Sequence, residues 1–203
     1  LANLDLILSN DHQGQLNNLL LHAPDGRLRL RHLLDGFRDQ YDLLLIDTQG
    51  ARSVLLEMAV LASDLALSPI NPEMLAAREL SRGTLRLLRD LEPFRHLGIV
   101  VPPLRLLLNQ VEMVRLDARM IMRGLRDNFP AASSIAVLNT VIPNRIAYVN
   151  AASLGLPVHR VETHRPSGRR SSSALQTLQA LASELFPEWQ AAISKVGLSA
   201  EKP

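Results

Sequence analysis

The chain has 203 residues, of which 47% are hydrophobic, 21% charged and only 3% aromatic. That much aliphatic material excludes a mainly disordered polypeptide and suits one domain or at most two. The formal charge is +2 and cysteine is absent, which excludes a disulfide scaffold, a thiolate metal site and a cysteine nucleophile, and leaves net charge silent about nucleic acid.

In chain order, Leu4-Asp5-Leu6-Ile7-Leu8 passes from alternating to apolar and predicts a strand. Ser9-Asn10-Asp11 then offers capping groups for a helix over residues 13–22. Pro24-Asp25-Gly26 is a turn, and Leu30, Leu33, Leu34 and Phe37 give one apolar helical face. Leu43-Leu44-Leu45-Ile46, bounded by Asp42 and Asp47, predicts a buried central strand of a parallel sheet. Residues 53–62 predict a helix, and Leu65-Ala66-Leu67-Ser68 a second buried strand stopped by Pro69 and Pro72.

A long amphipathic helix is expected over residues 73–91. Pro102-Pro103 interrupts the apolar runs 99–101 and 104–108, as at a sheet margin. A helix over 116–129, a strand near 135–138, a short helix over 144–152 ended by Gly155 and a last helix over 175–185 complete the pattern. Ser167 to Ser173 reads as a polar, arginine-containing loop, and the tail after Trp189 has little periodicity. Short aliphatic strands alternating with helices predict an α/β fold with a mostly parallel sheet flanked by helices. One domain over residues 1–189 with a tail over 190–203 is expected, since no Gly/Ser/Pro linker divides the chain. No apolar run reaches the 18 or so residues of a spanning helix, and no basic-then-apolar leader opens the sequence, so a soluble, cytoplasmic protein is the expectation.

Asp47 follows the predicted strand of residues 43–46 and would stand at its carboxyl end, where open α/β sheets bind ligands. A carboxylate there suits Mg2+ held through water, and Gly50 allows close approach of a backbone amide to a terminal phosphate. The same position also fits an aspartate that caps the next helix.

Tyr41-Asp42-Leu43-Leu44-Leu45-Ile46-Asp47-Thr48-Gln49-Gly50 resembles the Walker B region of the ParA/MinD family of deviant P-loop ATPases. Asn3-Leu4-Asp5-Leu6-Ile7-Leu8-Ser9-Asn10 is similar to that family's strand ending in Ser-Asn. Leu67-Ser68-Pro69-Ile70-Asn71-Pro72 resembles its strand-plus-proline segment. Val141-Ile142-Pro143-Asn144-Arg145 is similar to its isoleucine-proline segment near the nucleotide base, and Gly155-Leu156-Pro157-Val158 to the stretch that follows.

The resemblance implies a P-loop NTPase-like fold and, in the complete protein, ATP hydrolysis with Mg2+, homodimerisation across nucleotide, nonspecific binding of duplex DNA and response to a centromere-binding, ParB-like adaptor. It implies that Asp47 serves magnesium and the attacking water, Gly50 the γ-phosphate region, and Asn109 and Pro143, with Asn144 adjacent, the base. Asn109 also reads as a turn asparagine.

No lysine-bearing glycine-rich loop fits the general P-loop form; the lysines are Lys195 and Lys202. The match begins downstream of that loop, so the fold is expected to be incomplete at its N-terminus and this chain alone to bind and hydrolyse ATP poorly. A degenerate interaction scaffold and a MinD-like membrane-positioning ATPase are the alternatives.

All other cationic residues are arginines. Arg115, Arg119, Arg123 and Arg126 recur at helical spacing on one side. Arg145, Arg165, Arg169 and Arg170 follow, and no aromatic residues interleave them. That pattern suits duplex phosphate contact more than single-strand stacking, and equally a solvated helix face. His159 and His164, with Glu162 between, fit a helical zinc motif poorly. The thin cationic face around Trp189, Ile193 and Lys195 argues against stable membrane association.

Overall fold

A computed structural model describes residues 3–9, 11, 14–165, 168 and 171–196, with residues 77 and 81 as backbone alone. In chain order the elements are α1 (Gln15–His22), α2 (Arg29–Asp35), α3 (Val54–Ala62), β1 (Ala66–Ile70), α4 (Met74–Glu79) and α5 (Leu85–Leu91). They continue with β2 (Leu104–Val111), α6 (Leu116–Asn128), β3 (Ile135–Pro143), α7 (Ile146–Ser153), α8 (Val158–Val161), α9 (Ala174–Leu185) and α10 (Gln190–Ile193). The helical turns expected over 73–91 are broken by a wider π-turn at Leu80–Thr84, around the poor helix former Gly83. The chain forms two compact units, Leu1–Ala66 with Gly83–Pro102, and Leu67–Arg82 with Pro103–Pro203.

The first unit packs α1, α2, α3 and α5 around Leu20, Val54, Leu61, Leu87 and Leu91. Ser53 caps α3, its hydroxyl accepting from the Leu56 amide at 3.2 Å. At the other end of α3, Arg31 donates to the Leu61 carbonyl at 3.0 Å, satisfying an orphan acceptor. Gly26 is buried where a Cβ would run into the Leu20 carbonyl, so the Pro24-Asp25-Gly26 turn needs glycine for close approach.

The two strands expected in this unit are not formed. Residues 4–8 and 43–46 enter no ladder, and Leu4, Ile7 and Leu45 are 61, 85 and 84% exposed. Apolar patterning states which faces seek burial, but a strand exists only through hydrogen bonds to a neighbouring strand, and neither run has one among the described residues. One tie joins their surroundings: the Tyr41 hydroxyl donates to the Asp5 carboxylate at 2.7 Å, which raises the phenol above its usual range.

The second unit carries the sheet, in the order β1-β2-β3, with β2 and β3 parallel. The α/β class with parallel strands flanked by helices is thus as expected. Leu104, Leu106 and Leu108 of β2 and Ala136, Val137 and Leu138 of β3 are buried, with Met122 and Leu125 of α6. Strand β1 runs through Pro69 instead of stopping before it, because β1 is an outer strand where a missing N–H costs no ladder bond. It is also less buried than expected: Leu67 is exposed and only Ile70 is enclosed.

Helix α7 ends as the sequence indicates. Gly155 has φ of 63°, the Leu156 amide donates to Ala151 at 3.0 Å and the Gly155 amide to Ala152 at 3.1 Å, a Schellman closure. Ser173 starts α9 with a complete capping box to Gln176.

Candidate nucleotide-binding site

The ends of β2 and β3 in the second unit gather the residues expected near a base. Val111 stands beside Pro143 in the parallel register, and the Asn144 amide donates to the Val111 carbonyl at 3.1 Å. The Asn144 side chain donates to Glu112 at 3.0 Å. Asn109 is half-buried two residues before the end of β2, and Asn144 is exposed just past the end of β3, so both residues lie at the carboxyl rim where α/β sheets take ligands. Asn109, Pro143 and Asn144 are therefore brought to one edge.

Next to them is Gln110, which the sequence reading overlooked. Its φ of 52° is left-handed for a residue with a side chain. Its carbonyl oxygen Oε1 accepts from Asn71 Nδ2 at 3.4 Å, joining the rim after β1 to the end of β2. A recess of about 60 Å³ opens here, lined among others by Asn71, Gln110, Glu112, Arg115 and Asn144. Position within a strand gave no signal for Gln110, since left-handed backbone is legible only at glycine or asparagine.

In the first unit Asp47 is exposed and, because residues 43–46 form no strand, it does not stand at the end of one. A Cβ on Gly50 would meet nothing within 4 Å and its φ is not left-handed, so this structure makes no steric demand for glycine there. Beside them lies a cleft of about 460 Å³ whose walls include Asp11, Asn17, Gln49, Arg52, Ser53 and Glu57. Asp11 accepts from the first amides of α1, Gln15 and Leu16, each at 2.9 Å. Glu57 accepts from Arg27 at 2.6 Å and Arg52 at 3.4 Å, while Arg52 reaches Asp90 at 2.7 Å. Asn17 Oδ1 is buried and has no hydrogen-bond partner among the described residues. Asp11 thus caps α1 as the sequence indicates, whereas Arg52 escaped the sequence reading, since it reads locally as a surface charge.

The arginines divide by environment. Arg115 is held by Asp117, Nη2 to Oδ2 at 2.6 Å; the guanidinium holds that carboxyl below the usual range and is itself raised. Arg119 and Arg123 are exposed on α6, and neither makes an ion pair among the described residues. Arg126 donates to the Asn139 carbonyl at 3.1 Å. Arg145, expected on a basic surface, is instead 7% exposed, paired with Glu162 and donating to the Ser172 carbonyl, so its guanidinium is not offered to a polyanion here. Arg169 and Arg170 lie outside the described residues. No group of three or more His, Asp or Glu suited to a metal ion occurs among the described residues.

Comparison with known proteins bears on this arrangement. Residues 1–95 match the family model described as an AAA domain. No curated protein matches the chain. An ATP complex of a McdA variant from Cyanothece superposes with a TM-score of 0.60 at 18% identity, covering 72% of this chain and 55% of that one. At that identity the likeness is one of fold: this chain shares the α/β fold of the McdA structure. A plasmid partition protein from Borrelia burgdorferi shares 21% identity over 61% of this chain and 47% of its own, with a TM-score of 0.44. The chain spans about half the length of the solved structures it matches. No helix among its described residues is long and apolar enough to cross a membrane.

Proposed function

We propose that this chain is part of a ParA-like partition ATPase acting in plasmid or chromosome segregation. The observation that carries the reading is the convergence of Asn109, Pro143 and Asn144 at one carboxyl rim of a sheet with this fold. Amides offering both a donor and an acceptor suit a purine edge, and the apolar Pro143 suits its face. In the complete protein these residues hold the adenine of ATP. Asp47 is an oxygen ligand of the kind Mg2+ takes, exposed and with no ion pair among the described residues. Taken within the first unit by itself, Asp47 would hold hydrated Mg2+ and Gly50 would leave room for a terminal phosphate, the ion and nucleotide supplying the phosphoryl chemistry when bound.

The complete protein dimerises with ATP, binds duplex DNA nonspecifically through Arg119 and Arg123, with Arg115 nearby, and answers to a ParB-like adaptor. It works in the cytoplasm on the nucleoid, without stable membrane association. Within this chain no glycine-rich lysine loop is present, so its own affinity for ATP is low.

The test is calorimetric titration of Mg-ATP into the protein encoded by the complete reading frame, with Asp47→Asn and Asn109→Ala. Tight binding that weakens in N109A, with hydrolysis lost about 100-fold or more in D47N, supports the reading. Full activity in D47N overturns the role of Asp47, and absence of both ATP binding and hydrolysis in the complete protein sinks the reading in favour of a scaffold. That second reading is favoured by one observation: Leu43, Leu44 and Leu45 are exposed and enter no ladder among the described residues.

A further inference from the structure

We propose that the outer face of α6 and the turn before it dock an acidic, amphipathic helix of a partner protein. Met113, Val114, Leu116 and Met120 are 54, 88, 65 and 67% exposed. The first two lie in the turn after β2, and Leu116 and Met120 are one helical turn apart, so they share one side of α6. The opposite side, Ala118, Met122 and Leu125, is the one that packs inward. The exposed apolar stripe is therefore not a fringe of the core; it is a second apolar face that none of the described residues covers.

Charge identifies what fits. Arg119 and Arg123 run along one flank of the stripe, exposed and without ion pairs among the described residues. Of the acidic residues on α6, Asp117 is already taken by Arg115, and Asp127 lies a turn beyond Arg123 at the helix end. Two guanidiniums beside a Leu-Met stripe complement a helix whose apolar i, i+4 residues are bordered by carboxylates. A DNA backbone would engage the arginines and leave Val114, Leu116 and Met120 in water, whereas an acidic helix covers both. If the DNA reading above holds, such a segment and DNA exclude one another at Arg119 and Arg123; the docking itself does not depend on that reading.

The test uses fluorescence anisotropy of a labelled helical peptide of about four turns, with leucines on one face and glutamates beside them, and a twin carrying lysines in place of the glutamates. The present chain is titrated without nucleotide, as wild type, L116S/M120S and R119E/R123E; all four sites are exposed, and circular dichroism confirms that each variant is folded. Saturable micromolar binding of the glutamate peptide is expected, weakened about tenfold or more by each double variant and absent for the lysine peptide. Equal binding of both peptides, absence of saturation, or binding lost in R119E/R123E but untouched in L116S/M120S overturns the proposal, the last because it describes a surface read by charge alone, as by DNA. ATP-dependent retention of the complete protein on duplex DNA is measured separately, so failure of the partition reading is distinguished from failure of the docking face.

Discussion

Arg145 Nη2 lies 2.5 Å from Glu162 Oε1, with the two side chains 7 and 16% exposed. The pair ties the start of α7 to the end of α8, and each partner also holds the approach to α9. Arg145 donates to the Ser172 carbonyl at 2.7 Å, while Glu162 Oε2 accepts from the Ala174 amide at 2.9 Å. Removing either partner strands a buried charge. Glu162→Ala or Arg145→Ala is expected to cost about 3–5 kcal/mol in urea unfolding, and a variant within 1 kcal/mol or so of wild type contradicts this account. Tyr148, whose hydroxyl is buried with no partner among the described residues, sits in the same surroundings, and burial pushes its phenol up.

Glu184 makes stability depend on pH. Burial alone would raise its carboxyl, but the amides of Asn139 and Thr140, donating at 2.6 and 2.8 Å, outweigh that and hold it below its ordinary 4.5. Its contribution is whole above the ordinary value and is lost as pH falls through the lower folded value. E184Q is expected to lower stability by about 1–2 kcal/mol at neutral pH and to flatten the decline of stability below pH of about 4.5. Denaturant titrations at a series of acidic pH values read both effects.

Gly26 leaves no room for a Cβ against the Leu20 carbonyl. G26A must push α1 away from the short turn at Gly26–Leu28, at an expected cost of about 1–3 kcal/mol. Gly50→Ala, where a Cβ meets nothing, is expected to leave the melting temperature unchanged. The pair of melting curves separates a packing glycine from one kept for another purpose.

Gln110 is strained by its φ of 52°. Q110G is expected to stabilise the second unit by up to about 1 kcal/mol, while Q110V, β-branched at a left-handed position, destabilises it by about 1–2 kcal/mol. If the rim serves a base, Q110G in the complete protein gains stability and loses nucleotide affinity together. Chemical denaturation and calorimetry on the same samples decide it.

How much of this was legible beforehand differs between the two units. In the second, residues 104–108 and 135–138 announced strands, 116–129 a helix, and Gly155 a helix end, because each element there finds its partner within the unit. Pro69 misled, since the sequence does not say that β1 is an outer strand. In the first unit the helices of residues 15–22 and 54–62 were foreseen. Residues 4–8 and 43–46 were read as strands and are not, because their apolar pattern needs a neighbouring ladder to become a strand.

By itself, then, the amino-acid order determined most of the helices, the caps at Ser53 and Ser173 and the stop at Gly155, all of which depend on contacts within a few residues. Only the tertiary structure decided that Arg145 is enclosed by Glu162 while Arg119 and Arg123 face water, that Gln110 is twisted at the rim, and that Asp47 ends no strand. Burial and pairing are properties of what comes to lie against a side chain from distant parts of the chain, and local sequence carries no record of that.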